Sequence, residues 1–161
     1  MQAPTRPGVR GAGWALWILL VGVLLYFPSF AAGELDDEEG RRAIPAREMI
    51  ASGDYELPTV WQQPYLNKPP FYPWTVALAS TVTGGVNEAA TRLPSVVATI
   101  LTALGLFAFA RSRGRPRAGG LAGLLFLVSF ATFEKGAVGE LEASLALFVL
   151  GSIALIWTSA G

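Results

Sequence analysis

The sequence has 161 residues, of which 52% are hydrophobic, and its formal net charge at pH 7 is zero. It contains no cysteine and no histidine, which excludes disulfide bonds, cysteine metal sites and the usual general base at neutral pH. Any acid–base chemistry must therefore use Asp, Glu, Lys or Tyr. No basic face with interleaved aromatic residues is present, so nucleic acid is not an expected partner.

Four apolar segments are long enough to predict membrane-spanning helices. They cover about residues 12–32, 90–110, 118–134 and 142–160, and none carries a charge near its centre. Roughly 20 helical residues cross the hydrocarbon core of a bilayer, since a helix rises about 1.5 Å per residue. The third segment is the shortest and is rich in glycine. A set of buried helices in a large soluble protein is the alternative, but the run lengths favour an all-α polytopic membrane protein.

The positive charges predict the side of the membrane on which each connection lies. Arg6 and Arg10 precede the first span without any acid. The segment over residues 34–88 instead carries nine acids and four bases. We therefore expect a cytoplasmic N-terminus and an outer loop over residues 33–88 in the cytoplasmic membrane. The connection between the second and third spans is predicted to be cytoplasmic because it carries four arginines and no acid: Arg111, Arg113, Arg115 and Arg117.

The first span has a second interpretation, as a cleaved signal peptide. Arg6 and Arg10 would form its basic region and residues 14–27 its apolar region. Ser29-Phe30-Ala31 loosely fits the small-x-small cleavage pattern. The uncharged run over residues 11–33 is longer than such an apolar region usually is, which favours a retained span. Both interpretations leave the acidic loop on the outer side.

The loop over residues 33–88 contains predicted elements of its own. Residues 41–51 are compatible with a short helix, with Pro45 in its first turn or at a kink, and Gly53-Asp54 ends it. Residues 58–70 hold several prolines and predict extended or turn structure. A long loop with its own elements is more often functional than a plain connector.

A second short helix is predicted in the loop over residues 73–82, which are apolar and aromatic but too few to span a membrane. Trp74 and Tyr72 would anchor it at the membrane interface. Gly84-Gly85 ends this helix, and Asn87 is expected to cap the next one.

The densest polar feature is the run Leu35-Asp36-Asp37-Glu38-Glu39-Gly40-Arg41-Arg42, which directly follows the first span. A solvated acidic run that helps to set topology is the simpler interpretation. Acids contribute little to topology, however, which weakens that interpretation. The run therefore stays a candidate source of reactive carboxylates.

A second candidate is Lys68 within Pro64-Tyr65-Leu66-Asn67-Lys68-Pro69-Pro70. It is the one lysine of the loop, and the flanking prolines restrict the backbone, so the ammonium group is presented from a stiff segment. A contact to an anion or phosphate and a solvated lysine in a proline-rich turn both fit this pattern.

Charged residues also lie at the predicted ends of the spans. Glu134-Lys135 and Glu140-x-Glu142 fall in the turn between the third and fourth spans, and Glu142 directly abuts the fourth apolar run. Ionisable groups at such depth are costly and tend to face the protein interior, although interfacial solvation explains them too. Arg92, at the start of the second span, is expected to extend its side chain toward the interface.

These residues form an ordered series of motifs. Glu38-Glu39 is followed by Ala46-Arg47-Glu48-Met49, Gly53-Asp54, Lys68-Pro69-Pro70 and Thr91-Arg92-Leu93-Pro94-Ser95. In this order and spacing the series resembles the integral-membrane GT-C glycosyltransferases, and more narrowly the superfamily of protein mannosyltransferases and lipid A aminoarabinose transferases. The resemblance covers about residues 12–150 and implies a GT-C membrane domain whose outer loop carries short juxtamembrane helices.

The resemblance also implies roles for single residues. The family's catalytic Asp falls on Glu38, and a slip of one residue would make Asp37 the base. The family's second acid falls on Glu142, and its KPP lysine, which contacts the carrier phosphate, falls on Lys68. The predicted substrate-binding set is completed by Arg41, Arg92 and Asn67.

A divalent metal is a possible cofactor, because the aminoarabinose transferases place a metal-binding Glu immediately before the KPP lysine. This sequence has Asn67 at that position, which argues against a metal site of that kind. The expected partners are a polyprenyl-phosphate-sugar donor, a lipid, glycan or protein acceptor, and membrane lipid.

The resemblance implies an inverting transfer of a sugar from a polyprenyl phosphate to an acceptor outside the cytoplasm. A transporter subunit with an acidic outer vestibule and a small interaction protein are the alternatives, but the lack of charges in the middle of the spans and the ordered motifs favour an enzyme. We expect residues 1–161 to be the N-terminal part of one membrane catalytic domain with a C-terminal remainder, and to be inactive alone.

Overall fold

The computed structural model describes residues 9–159, with side chains for residues 13–36 and 38–159. The described chain is almost entirely helical, as expected. In chain order the elements are α1 (Val9–Tyr26), a short 3-10 helix (Phe27–Ala31), α2 (Asp37–Ser52), β1 (Thr59–Val60), β2 (Gln63–Pro64), α3 (Phe71–Thr83), α4 (Glu88–Ser112), α5 (Pro116–Val128), α6 (Phe130–Gly136) and α7 (Glu142–Ser159). Arg6, one of the residues on which the predicted membrane orientation rests, lies outside the described residues.

Three stretches of the described chain are long and apolar enough to cross a membrane: Gly13–Ala31, Glu88–Ser112 and Glu142–Ser159. They correspond to the first, second and fourth predicted spans. The predicted third span over residues 118–134 corresponds to α5 and α6, which are separate helices bent by 63° relative to each other. Together they form a broken span or a re-entrant segment.

The break lies at Ser129, whose backbone is extended, with φ −68° and ψ 139°. Its hydroxyl donates to the Phe126 carbonyl and contacts the Thr132 hydroxyl, so the serine side chain competes with the helical hydrogen bonds. The end of α5 also leaves the Leu127 carbonyl without a helical partner. The Tyr26 hydroxyl donates to that carbonyl at 2.8 Å, which satisfies it inside the core.

Helix α4 forms the centre of the bundle and contacts α1, α3, α5, α6 and α7. Glycines on the neighbouring helices permit this close approach. A Cβ built on Gly123 would lie 2.7 Å from the Ala103 carbonyl oxygen, and one on Gly22 would lie 2.8 Å from the Ile100 side chain. The core between α1, α4 and α5 contains Ile18, Tyr26, Val96, Ile100, Ala103, Phe107 and Leu127.

Helix α2 begins four residues earlier than the predicted helix over residues 41–51. The Asp36 carboxylate accepts the Glu39 backbone N–H at 2.8 Å, and the Glu39 carboxylate accepts the Asp36 N–H at 3.3 Å. This reciprocal capping box starts the helix inside the acidic run, where the helix dipole favours negative charge. Pro45 consequently lies in the helix interior and not in its first turn. Gly53 ends the helix in the left-handed conformation, as predicted.

Helix α3 extends slightly beyond the predicted residues 73–82 at both ends. Trp74 is half-exposed and donates its indole N–H to the Tyr55 carbonyl at 2.7 Å. Tyr72 is not an interfacial anchor, because only 1% of its surface is exposed. Gly84 ends α3, and the Asn87 side chain caps α4 by accepting the Ala90 N–H at 2.8 Å, as predicted.

Candidate active site in the first loop

The loop between the first two spans is fastened to the bundle by a buried ion pair. Arg92 on α4 donates to the two carboxylate oxygens of Glu39 on α2, at 2.8 and 2.7 Å. Both side chains are almost fully buried, with exposed fractions of 4% and 2%. A bidentate pair of this geometry fixes distance and orientation together.

The same two side chains also bind backbone groups from other segments. Arg92 donates to the Ser29 carbonyl at 2.7 Å and to the Glu34 carbonyl at 3.2 Å, at the end of the first span. Glu39 accepts the backbone N–H of Gly139, which lies between α6 and α7, at 2.7 Å. We call Glu39, Arg92 and Gly139 the hub. The hub joins four chain segments at one end of the bundle.

The electrostatics of the hub favour an ionised Glu39. Burial, the largest single influence, acts to raise the pKa of Glu39. Two opposing influences together outweigh burial, so the pKa of Glu39 lies below its usual value. They are the hydrogen bonds donated by Arg92, Gly139 and Asp36 and the positive charge of Arg92. Glu39 is therefore a charged structural group and is poorly suited to accept a proton in a reaction.

A second buried network holds α3 against α4. The Tyr72 hydroxyl donates to the Thr91 carbonyl at 2.9 Å and shares a 2.7 Å hydrogen bond with the Ser95 hydroxyl. The Ser95 hydroxyl also contacts the Glu140 backbone, with its carbonyl at 2.7 Å and its N–H at 3.1 Å. Burial is the main cause that raises the pKa of Tyr72, so this phenol stays protonated and serves as a fixed donor.

Glu38, the first candidate base, lies beside the hub on α2 but points elsewhere. Its side chain is 52% exposed, and its carboxylate lies 3.5 Å from a nitrogen of Arg41 and 3.5 Å from a nitrogen of Arg42. The alternative base is Asp37, whose side chain lies outside the described residues although its backbone begins α2. The structure therefore leaves both assignments as predictions.

Three cationic side chains line one small cavity next to Glu38. Arg41, Arg42 and Lys68 surround it together with Tyr65, and its volume is about 10 Å³. That is close to the space one water molecule needs. A phosphate group would therefore require the side chains to move apart, which the exposed Arg41 and Lys68 can do. The remaining lining residues are Pro58, Pro69, Tyr72, Pro73 and Leu141.

A further group of charges lies at the start of α7. Lys135 and Glu140 form an ion pair at 3.2 Å. Burial raises the pKa of Glu140, and the neighbouring Glu142 carboxylate raises it further, whereas Lys135 opposes the rise. Lys68 lies within electrostatic range of Glu142, the second predicted acid.

The predicted substrate-binding residues do not all share one environment. Lys68 and Arg41 line the same cavity, and Asn67 is exposed next to Lys68. Arg92 is different: its donors are engaged by Glu39 and by backbone carbonyls, so it turns inward and does not extend to the interface as expected. In the described part of the chain, no group of three or more acidic side chains has the arrangement of a metal site.

Comparison with known proteins places the chain in a family. Residues 67–160, more than half of the chain, match the family model described as dolichyl-phosphate-mannose-protein mannosyltransferase. The chain belongs to this family. This confirms the family resemblance of the ordered motifs and the membrane nature of the protein, and it assigns the helices to a multi-pass membrane glycosyltransferase fold.

Individual relatives extend the match into the first loop. The undecaprenyl phosphate-alpha-4-amino-4-deoxy-L-arabinose arabinosyl transferase of Edwardsiella ictaluri is 33% identical over 91% of this chain and 26% of its own length. The corresponding transferase 1 of Sodalis glossinidius is 34% identical over 90% of this chain and 26% of its own length. The chain thus spans about a quarter of the length of the curated relatives it matches.

A solved structure supports the same fold. The crystal structure of ArnT from Cupriavidus metallidurans bound to undecaprenyl phosphate superimposes with a TM-score of 0.79 at 27% identity. The match covers 88% of this chain and 26% of that one. The predicted all-α polytopic GT-C architecture is therefore confirmed.

The hub is the main feature that sequence reasoning missed. The sequence places Glu39 in the acidic run and predicts Arg92 as a substrate ligand, whereas the structure pairs the two across 53 positions. The spacing Asp36-x-x-Glu39 was a readable sign of a helix start, because an acid at both positions forms a capping box. The burial of Arg42 and Ser95 has no comparable local signal.

Proposed function

We propose that the full-length protein transfers a glycosyl group from a polyprenyl-phosphate-linked sugar to a lipid, glycan or protein acceptor, with inversion at the anomeric carbon. The observation that carries the proposal is the position of Glu38 next to a cavity lined by Arg41, Arg42 and Lys68. A carboxylate for the acceptor and cations for the carrier phosphate thus lie side by side in the first loop.

The chemistry of an inverting transfer fits these side chains. A single displacement requires one base near the acceptor hydroxyl, and a carboxylate can serve as that base. The leaving group is a phosphate, whose developing negative charge is stabilised by fixed cations. In this scheme Glu38 or Asp37 accepts the acceptor proton, and Lys68 and Arg41 bind the phosphate. Glu142 is the second acid, and Asn67 lies where it can contact the substrate next to Lys68.

The hub has a positioning role in this proposal. Because Glu39 and Arg92 hold α2 against α4, the neighbouring Glu38 is presented from a fixed helix turn. Precise placement of reacting groups lowers a barrier only if the supporting shell is rigid. We assign Arg92 to this shell in preference to direct substrate contact.

The names of the relatives indicate the class of donor. The transferases of Edwardsiella and Sodalis are named for undecaprenyl phosphate and 4-amino-4-deoxy-L-arabinose, and the ArnT structure contains undecaprenyl phosphate. We propose that this protein also uses an undecaprenyl-type carrier. We propose that the loop over residues 33–88 lies on the outer side of the cytoplasmic membrane, because the arginines of the connection between the second and third spans favour the cytoplasmic side.

A divalent metal stays a prediction in this scheme. Chelation with EDTA followed by readdition of Mg²⁺ or Mn²⁺, with transfer as the readout, decides it. If transfer is insensitive to chelation, the cations of the loop are sufficient for the leaving phosphate.

The decisive experiment compares Asp37→Asn and Glu38→Gln in the full-length protein. Transfer is measured from a polyprenyl-phosphate sugar in detergent or vesicles. Loss of a general base lowers the rate by about 10²- to 10⁴-fold. We expect that loss in Glu38→Gln and a small effect in Asp37→Asn, and the reverse pattern would move the base to Asp37.

Glu56→Gln is the matched control, because it removes an exposed carboxylate from the same loop. It should leave transfer within about twofold of the unchanged protein. If neither Asp37→Asn nor Glu38→Gln lowers transfer more than this control does, the proposed catalytic role of the acidic run is refuted.

A further inference from the structure

Arg42 is a buried cation with incomplete partners. Only 4% of its surface is exposed, and its Nε has no hydrogen-bond partner in the described part of the chain. One terminal nitrogen donates to the Tyr65 hydroxyl at 3.4 Å, and the other to Glu38 at 3.5 Å. Both contacts are at the long end of the hydrogen-bond range. The Arg42 guanidinium is therefore removed from water but makes no short hydrogen bond within the described part of the chain.

Arg92 provides the internal comparison, since it is equally buried. Its contacts to Glu39 are 2.7 and 2.8 Å long and are supplemented by the Ser29 carbonyl. A buried charge is tolerated when it is paired closely and costs free energy when it is not. Arg42 is thus the buried arginine whose environment is better suited to a further anion than to its present contacts.

The anion that contacts Arg42 is the half-exposed carboxylate of Glu38. Glu38 lies one helical turn before Arg42 and approaches Arg41 and Arg42 at 3.5 Å each. Its side chain is half-exposed, so a rotation about its own bonds would carry the carboxylate into solvent. Such exposed pairs contribute little, and a better anion can replace the carboxylate without disturbing α2.

We propose that Glu38 occupies, in the absence of donor, the place on Arg41 and Arg42 that the donor phosphate takes, and that phosphate binding releases Glu38 toward the acceptor. This inference rests on the proposed function and deepens it. Arg42 is then a phosphate-binding residue from the protein interior, facing Lys68 across the same cavity. Its planar guanidinium can offer Nε and a terminal nitrogen together to two phosphate oxygens.

The exchange links binding to the chemical step with charges that balance. The released Glu38 carboxylate takes the proton of the acceptor hydroxyl, and the acceptor oxygen forms the bond to the anomeric carbon. The bond from that carbon to the phosphate oxygen breaks, and its electron pair leaves with the carrier. The carrier phosphate changes from a singly charged diester to a doubly charged monoester, held by Arg41, Arg42 and Lys68. Protonated Glu38 returns its proton to water, and carrier release restores its contact with the two arginines.

The consequence is an ordered reaction in which the donor activates its own base. Before donor binding, two guanidinium groups contact Glu38 and hold it away from the acceptor. After donor binding, the same groups are occupied by phosphate. The acceptor is therefore deprotonated only when a sugar is in place, which limits unproductive contact of the base with other hydroxyl groups.

The test uses the full-length protein in detergent and undecaprenyl phosphate as the probe of the phosphate site. Removing the competing carboxylate in Glu38→Gln should tighten undecaprenyl phosphate binding by about twofold to fivefold, the range expected for an exposed ion pair. The same variant should lose transfer. Glu56→Gln removes an equal charge from the same loop and should leave the affinity unchanged.

Arg42 variants supply the second arm. Arg42→Gln should weaken undecaprenyl phosphate binding by about tenfold or more, because a charge-assisted contact is lost. In this background Glu38→Gln should tighten binding less than it does alone, because only the competition for Arg41 remains. Arg42→Lys, which keeps the charge without the planar fork, should fall between Arg42→Gln and the unchanged protein.

The outcomes separate the exchange from the proposed function. If Glu38→Gln loses transfer but binds undecaprenyl phosphate no more tightly than Glu56→Gln does, the base assignment stands and the exchange is overturned. If Glu38→Gln binds more tightly yet retains transfer, the competition for the arginines is supported, whereas release of a catalytic base is overturned. The exposed position of Glu38 keeps this test available even if Arg42→Gln does not fold.

Discussion

Glu38 and Glu39 are neighbours in the first turn of α2, yet they meet opposite environments. Glu39 is 1% exposed and is held by Arg92 and Gly139 at 2.7 to 2.8 Å. Glu38 is 52% exposed and contacts two arginines only at 3.5 Å. Successive helix positions point about 100° apart, so one acid faces the bundle and the other contacts the two arginines that line the cavity. In our proposal, stability and reactivity are thereby divided between adjacent residues.

The difference shows how one acidic run can serve two purposes. A carboxylate that anchors a structure must stay charged and paired, and one that accepts a proton must be free to move and change its charge. Short contacts favour the first task, and long, solvent-accessible contacts favour the second. The following experiments test whether this division holds.

The largest expected effect is from Glu39→Gln. The substitution leaves the buried Arg92 without a balancing charge, and breaking one side of a buried ion pair typically costs about 3–5 kcal/mol. The free energy of unfolding of the full-length protein is measured by denaturant titration in mixed micelles. Glu56→Gln is the control and should remain within about 1 kcal/mol of the unchanged protein. Equal stability of the two variants would show that the hub does not anchor the loop.

Acidification should remove part of the same stabilisation. The pKa of Glu39 is lower in the folded protein than in the unfolded chain, where glutamate titrates near 4.3. Its contribution is therefore complete above that ordinary value and is lost as the pH falls through the folded pKa. Glu140, whose pKa is raised, contributes in the opposite sense.

The difference in unfolding free energy between the unchanged protein and Glu39→Gln isolates this contribution, because Glu140 is common to both. The difference should be constant from pH 7 to about 5 and shrink below that range. A difference that grew on acidification would contradict an ionised Glu39.

The division between the two acids also explains what could be predicted from sequence. The lengths of the uncharged runs predict the long apolar spans, and single residues predict the helix ends at Gly53, Gly84 and Asn87. The structure contains these features. The environments of Glu38 and Glu39 cannot be predicted from such local features. They depend on which face of α2 meets α4, and α4 begins about fifty residues later.

The broken third span shows a different limit. Its composition is apolar throughout residues 118–133, so a count of apolar residues predicts one helix. The break at Ser129 depends on local competition by its hydroxyl and on the Tyr26 hydroxyl, which satisfies the freed Leu127 carbonyl. Tyr26 lies 101 positions from Leu127, so no local sequence pattern could predict the hydrogen bond between them.

A moderate effect is expected from Gly139→Ala, which tests the hub from its backbone side. An added Cβ would lie 2.7 Å from Thr91 Cγ2, 2.9 Å from the Thr91 carbonyl oxygen and 3.3 Å from the Glu39 carboxylate. Overpacking of this kind costs about 1–3 kcal/mol, because the linker must shift away from α4.

Gly151→Ala is the matched control for this substitution. A Cβ at Gly151 would meet no atom of the described residues within 4 Å, and alanine favours the helical conformation of α7. This control should be neutral or slightly stabilising in the same unfolding titration. If Gly139→Ala behaved like Gly151→Ala, the close contact between the linker and Thr91 would not contribute to stability.

The smallest effect on stability is expected from Glu38→Gln, and here the comparison is sharpest. The carboxylate is half-exposed and its two ion pairs are long, so its loss should cost only about 0–1 kcal/mol in the unfolding titration. If Glu38 is the base, the same substitution lowers transfer by about 10²- to 10⁴-fold. Glu39→Gln should show the opposite balance, with a large loss of stability. A Glu38→Gln variant as unstable as Glu39→Gln would mean that both acids are structural, and the base would then have to be Asp37.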